Sequence, residues 1–185
     1  REVEKVANKN GISLNPFDFA DAWRAEYQPS MDEIRKGNRP FTILDILHME
    51  NLNKISSRFN LSNLSEEDLN KLVTAWHRLP GWPDSTEGLN ALKKKYILAT
   101  QSNGNIALIV NMAKFSNLNW DVVLGAEVIG HYKPEPEAYL KACNALSFKT
   151  EECLMVAAHE DDLRAARQQG MKTAYVHRPF EYGKD

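Results

Sequence analysis

Residues 96–110 read Tyr-Ile-Leu-Ala-Thr-Gln-Ser-Asn-Gly-Asn-Ile-Ala-Leu-Ile-Val. The run Tyr96-Ile97-Leu98-Ala99-Thr100 has the length and apolar character of a buried strand, and it ends in the polar turn Gln101-Ser102-Asn103-Gly104. Beyond the turn, Ile106, Ile109, Val110 and Ala113 fall on one helical face. Strand, turn and helix in that order make half of a βαβ unit, and the same signals recur downstream. Asp121-Val122-Val123-Leu124 reads as the next strand, and Tyr139, Ala142, Cys143 and Leu146 as a helix stripe. Cys153 to Ala158 is another strand, followed by a helix from Asp161 to Gln169 with Gly170 as a left-handed C-cap. Lys172 to His177 closes the series before Pro179. Strands alternating with helices of this length imply an α/β fold with a parallel sheet, whose chemistry gathers at the carboxyl ends of the strands.

Upstream the grammar is different. Residues 1–80 read as helical throughout. Phe19, Ala22, Trp23 and Tyr27 form one stripe, the stretch from Phe41 to Ile55 a second, and Leu69, Leu72, Val73 and Trp76 a third. Asn15-Pro16 and Gly37-Asn38 separate the first two from their neighbours, and Ser65-Glu66-Glu67-Asp68 opens the last with a hydroxyl cap and an acid three positions on. The expected division is therefore a helical region over 1–80 and an α/β region over 81–185.

The 185 residues suffice for one domain with a smaller second lobe. A net charge of −2 argues against binding nucleic acid mainly by charge, and no apolar run approaches the roughly 20 residues of a membrane helix. Two cysteines, Cys143 and Cys153, exclude a disulfide scaffold and a cysteine-rich zinc site, and point to a reducing, cytoplasmic setting. The sequence opens at Arg1 without a methionine, a signal-type stretch or a strand before the first helix, and it ends in the turn-like tail Tyr182 to Asp185. A fragment of a longer chain is the expectation.

Three strand ends carry residues suited to chemistry. Ser102-Asn103-Gly104 leads into a helix, where a hydroxyl beside unpaired N–H groups suits an anion; taken alone, it reads more simply as a helix cap with a turn glycine. Lys133 is set between Gly130-His131-Tyr132 and Pro134-Glu135-Pro136, whose prolines fix its direction, although a lone lysine is ordinarily solvated. His159-Glu160-Asp161-Asp162 follows an apolar strand directly. Glu160 and Asp161 suit the solvated start of a helix, and Asp162 is expected to turn inward toward Lys133. An anion site and a directed lysine on neighbouring strand ends suit a reaction on a carboxylate.

Ser102-Asn103-Gly104, Lys133-Pro134 and Ala157 to Asp162 stand in the order and spacing of the second, third and fourth motifs of the haloacid dehalogenase superfamily. The upstream helices, with Phe19-Ala20-Asp21-Ala22-Trp23-Arg24, resemble the cap of its type II (S)-2-haloacid dehalogenases. The resemblance implies a Rossmann-like core with an inserted helical cap. It also implies hydrolytic dehalogenation in which an aspartate displaces halide, forms an ester, and is released by water with inversion at carbon. Carried over by position, Arg24 resembles the arginine that meets the departing halide, and Phe41 the aromatic that shapes the apolar pocket. Ser102 and Asn103 match residues that hold the substrate carboxylate. Lys133 matches the lysine that keeps the nucleophile ionised, and Asp162 the acid that pairs with it and helps place the hydrolytic water. No cofactor or metal is implied. A small 2-halo acid is the expected substrate, and a homodimer, with Trp76 or Trp82 in its face, is expected from the family alone.

The sequence departs from that pattern at three places. The first-strand motif, an apolar run ending in Asp-x-x-Gly-Thr, is missing. Asp45 mimics it after Thr42-Ile43-Leu44, but Phe41, Leu44 and His48 keep helical spacing and no Gly-Thr follows, so Asp45 is rejected as nucleophile. The nucleophile and its strand are expected upstream of Arg1. His159 stands where many type II enzymes carry asparagine, and it introduces a group that titrates near neutral pH. Glu160-Asp161 replaces a small residue and an aromatic. A Mg²⁺-dependent phosphatase of the same superfamily is the main alternative. It is disfavoured because Ala158 occupies the position of the acid that would hold the metal. A non-catalytic binding relative is the second alternative.

Overall fold

Helix formation in the upstream region follows from its caps. Asn15 stands in extended conformation before α2 (Pro16–Ala25), and its side chain accepts from the amides of Phe17 and Asp18, while Pro16 takes the first helical position, where no amide partner is lost. Ser65 caps α5 (Glu66–Val73) by accepting from Asp68 N at 3.2 Å. The Asp68 carboxylate, 1% exposed, also receives Lys9 Nζ at 2.8 Å and Asn10 Nδ2 at 3.1 Å. These contacts fasten the end of α1 (Glu2–Lys9) to the start of α5, and the Lys9 ammonium chiefly holds the Asp68 carboxyl below its usual range. Between these elements run α3 (Tyr27–Arg35) and α4 (Leu44–Ser56). Helix α4 starts three residues later than the stripe from Phe41 suggests, with Ile43 standing extended as its N-cap residue.

The structure is a computed structural model that describes residues 1–181. They pack as two compact units, one over Arg1–Glu127 and one that begins at Val128. In the first, α1, α2, α4 and α5 bury one continuous cluster containing Val6, Phe19, Trp23, Leu52, Ile55 and Leu72. The Phe19 ring lies 5.5 Å from that of Trp23 and meets Phe59 edge-on at 5.4 Å, an arrangement favoured by the ring quadrupoles. Helix α6 (Ser85–Leu92) follows, and then α7 (Ile106–Phe115), which packs against the 3₁₀ turn Thr74–Arg78.

The two strands expected at 96–100 and 121–124 meet in a single parallel bridge, Ala99 with Val122. Side chains end that ladder at both sides. Leu98 N donates to the Asp121 carboxylate at 2.9 Å, and the Thr100 hydroxyl takes both the amide (2.9 Å) and the carbonyl (3.2 Å) of Leu124. The backbone groups that would extend a ladder are thereby already used. A single turn, α8 (Ala126–Ile129), comes next in the chain.

The second unit contains α9 (Pro136–Ala145), β1 (Leu154–Ala157), α10 (Glu160–Gln168) and β2 (Lys172–Tyr175). The strands are parallel, in register from Leu154 opposite Lys172 to Ala157 opposite Tyr175, and α10 connects them and packs on both. This is one complete βαβ unit. Gly170 ends α10 at φ +88°, with Met171 N returning to Ala166 O at 3.3 Å, and the left-handed turn favours glycine. Among the described residues no helix is long and apolar enough to cross a membrane.

Candidate active site

Within the second unit, Lys133 leads into α9 and Asp162 stands in the first turn of α10. Lys133 Nζ donates to Asp162 Oδ2 at 2.5 Å, and both side chains are largely shielded, at 18% and 13% exposure. The carboxylate's other oxygen, Oδ1, accepts from Tyr139 Oη at 2.7 Å, and Tyr139 is fully buried in the face that α9 turns inward. Asp162 is thus held at both oxygens, and a charge-assisted pair of this kind fixes the ammonium's position. Sequence reasoning missed Tyr139 in this role, placing it only on an apolar stripe. The available signal was chemical: a buried phenol needs a partner for its hydroxyl.

The neighbouring residues go elsewhere. His159 is the extended N-cap of α10, half-exposed, and its Nε2 lies 2.7 Å from Glu181 Oε1. Glu160 and Asp161 are exposed in the first helical turn, where carboxylates meet the positive end of the helix dipole, and Arg164 approaches both.

In the first unit, Ser102 does not cap α7. Its Oγ accepts from Gly104 N at 3.0 Å, which tightens the turn, and Asn105 is the N-cap residue. The amide of Ile106 is taken by Glu127 Oε1 at 2.7 Å. Asn103 Nδ2 reaches Tyr27 Oη at 3.4 Å and the sulfur of Met31, fully buried on α3, at 3.7 Å. The turn therefore faces α3, a contact that sequence spacing did not reveal. Arg24 is exposed near the end of α2, directly after buried Trp23, and Phe41 is partly buried in the extended approach to α4.

A second polar group surrounds Asp45, which lies on the first turn of α4. Its carboxylate accepts from Asn105 Nδ2 at 2.8 Å and contacts His77 Nε2 at 2.9 Å, and Asn111 Nδ2 lies 2.9 Å from His77 Nδ1. Nearby, the buried His48 ring stacks on Trp76 with centroids 5.0 Å apart. Burial pushes the His48 imidazole down to about 4; the Asp45 carboxylate opposes this fall and His77 adds to it.

Comparison with known proteins agrees with this architecture. The profile of the haloacid dehalogenase-like hydrolases matches residues 6–170. An (S)-2-haloacid dehalogenase 4A of Burkholderia cepacia is 35% identical over 118 residues, which are 60% of this chain and 51% of that protein. A pyrophosphatase PpaX of Bacillus thuringiensis (strain Al Hakam) is 27% identical over 128 residues, 62% of this chain and 59% of that one. The crystal structure of the defluorinating L-2-haloacid dehalogenase Rha0230 superposes with a TM-score of 0.95 at 42% identity, covering 99% of this chain and 76% of that chain. The chain spans between half and three-fifths of the length of these curated relatives. A profile match over nearly the whole chain, in a structure with a βαβ unit and a Lys133–Asp162 pair, places the chain among the haloacid dehalogenase-like hydrolases.

Proposed function

We propose that the whole protein is a metal-independent hydrolase that converts (S)-2-haloacids to (R)-2-hydroxy acids through an aspartyl ester. The observation that carries this reading is the arrangement of Lys133, Asp162 and Tyr139: a shielded ammonium, held by a carboxylate that a phenol orients in turn. A cation so fixed keeps a neighbouring carboxylate ionised and nucleophilic at neutral pH. That nucleophile comes from a strand preceding Arg1. Its oxygen attacks C2 of the substrate, the carbon–halogen bond breaks, and halide leaves with the bonding pair. Water, placed with the help of Asp162, then attacks the ester carbonyl and releases the hydroxy acid of inverted configuration. Ser102 and Asn103 hold the substrate carboxylate, Arg24 receives the halide, and Phe41 and His159 are further substrate-binding residues. A helical cap over 1–80 and a core over 81–185 divide these tasks, in a cytoplasmic and dimeric protein.

The similarity to a pyrophosphatase favours one second reading, a Mg²⁺-dependent phosphatase. Ala158 argues against it, since a methyl group offers no oxygen to a hard cation. The test is halide release from (S)-2-chloropropionate and from fluoroacetate by the whole protein in EDTA. Fluoroacetate is included because the similar Rha0230 is described as defluorinating. Chloride release with inversion supports the proposal. A folded protein that releases no halide, but cleaves phosphate esters once Mg²⁺ is added, overturns it in favour of the phosphatase. Inactivity on both classes leaves a binding protein.

A further inference from the structure

Asn105 occupies the N-cap of α7, yet its side chain caps nothing. An N-cap asparagine ordinarily accepts from an amide in the first turn. Here Oδ1 instead accepts from the backbone amide of Asp45 at 3.3 Å, and Nδ2 donates to Asp45 Oδ2 at 2.8 Å. Asp45 Oδ1 is engaged separately by His77 Nε2 at 2.9 Å. Because the Asn111 amide donates to His77 Nδ1 at 2.9 Å, the imidazole proton sits on Nε2 and points at the Asp45 carboxylate. His77 and Asn105 are 6% and 2% exposed. A buried polar network of this kind brings less stability than apolar packing of equal volume, and what it supplies is a single geometry.

The network joins three segments: the first turn of α4, the 3₁₀ turn Thr74–Arg78, and the start of α7. Asn105 directly follows Ser102-Asn103-Gly104, whose own turn is closed by the bond from Gly104 N to Ser102 Oγ. Fixing Asn105 at two atoms therefore fixes the register of the turn that carries Ser102 and Asn103.

We propose that Asp45, His77 and Asn105 form a positioning latch that holds the Ser102–Gly104 turn against α4 and so gives the substrate carboxylate one binding orientation. The proposal rests on the dehalogenase reading for the identity of that carboxylate. None of the three touches substrate; they act through the turn.

The test exploits the chemistry of the pair. In D45N the single amide oxygen cannot accept from both Asn105 Nδ2 and His77 Nε2, so one of these donors is left facing the new NH2 group, while in N105D two carboxylates face each other. The double variant D45N/N105D exchanges the charge and the amide and restores every donor–acceptor match, including an acceptor for His77 Nε2. The whole protein is compared in two readouts: kinetics on (S)-2-chloropropionate, and amide hydrogen exchange in residues 102–106. Each single variant is expected to raise KM about tenfold, with kcat much less affected, and to speed exchange in 102–106 about tenfold, the double variant returning both near wild type. Exchange in α1, far along the chain in the apolar cluster, stays unchanged. A structural role alone would lower stability and leave KM in place. Unchanged exchange at 102–106 in both single variants, or a double variant no better than either, overturns the latch. A wild-type protein that releases no halide defeats the dehalogenase reading, and the exchange readout then decides the latch by itself.

Discussion

Asp162 shows how much a single carboxylate is asked to do, because its two oxygens serve different partners, Lys133 and Tyr139. Removing the phenol hydroxyl with Tyr139→Phe leaves Asp162 Oδ1 without that donor in a shielded place, at a cost of about 1–2 kcal/mol, or about tenfold in kcat/KM. Lys133→Met removes the cation itself, and kcat is expected to fall by about 10² or more while the protein stays folded. Steady-state halide release checks both, and a Lys133→Met variant with wild-type kcat would refute the role given to that lysine. Lys133 and Asp162 were legible in the sequence because prolines and an apolar strand flank them. Tyr139 was not, because a tyrosine on an apolar stripe looks like packing until its hydroxyl's partner is seen. His48 yields a prediction of a different kind. Its imidazole falls from 6.5 to about 4 on burial, so the folded protein leaves it neutral where the unfolded chain takes up a proton. Its contribution is intact above pH 6.5 and is lost as the pH falls toward 4, by on the order of 3 kcal/mol at most. His48→Phe keeps a ring against Trp76 and removes the titration, so its urea midpoint should vary less between pH 6.5 and 4. An acid slope equal to wild type would show that His48 is not the group responsible.

At the level of elements, the helices were legible because their caps and stripes are local. Ser65 and Asp68, Asn15 and Pro16, and Gly170 each act within a few residues of sequence, and each stands at or beside the helix end it specifies. The strands were legible only in part. Leu154–Ala157 and Lys172–Tyr175 pair across the short α10 crossover, whereas the runs near 98 and 122 make one bridge and then stop. Strand extent is set by what lies alongside, and here Asp121 and Thr100 take up backbone groups that a ladder would have used. Thr100 supplies the test, since its hydroxyl, in a residue 7% exposed, serves both the amide and the carbonyl of Leu124. Thr100→Val preserves shape and removes both bonds, leaving two buried backbone groups unpaired at a cost of about 1–3 kcal/mol; Thr100→Ser should cost less because it keeps the hydroxyl. Denaturant unfolding decides the order. A serine variant weaker than the valine variant would mean that methyl packing, not the hydroxyl, ends this ladder.

On the scale of the whole molecule, the helical and α/β textures of the sequence anticipated the fold class, and the structural match at a TM-score of 0.95 agrees with it. Residue pairs far apart in sequence, such as Asp45 with Asn105, escaped notice because neither residue carries a local signal for the other. The rejection of Asp45 as a nucleophile has a structural counterpart: it stands on a helix, with its carboxylate engaged by Asn105 and His77. A carboxylate that must attack carbon is poorly served by having both oxygens committed to buried partners, since breaking those contacts would add to the barrier. The reading proposed above therefore demands a carboxylate outside residues 1–185, and that demand is directly measurable. Protein comprising residues 1–185 alone is expected to release no chloride from (S)-2-chloropropionate in EDTA, while the whole protein does so with inversion. Incubation of the whole protein with substrate in H₂¹⁸O should place ¹⁸O in an aspartate preceding Arg1 after repeated turnover, because water attacks the ester at the aspartyl carbonyl. Label found in Asp45 or Asp162 instead, or turnover by residues 1–185 alone, would reassign the nucleophile to this chain.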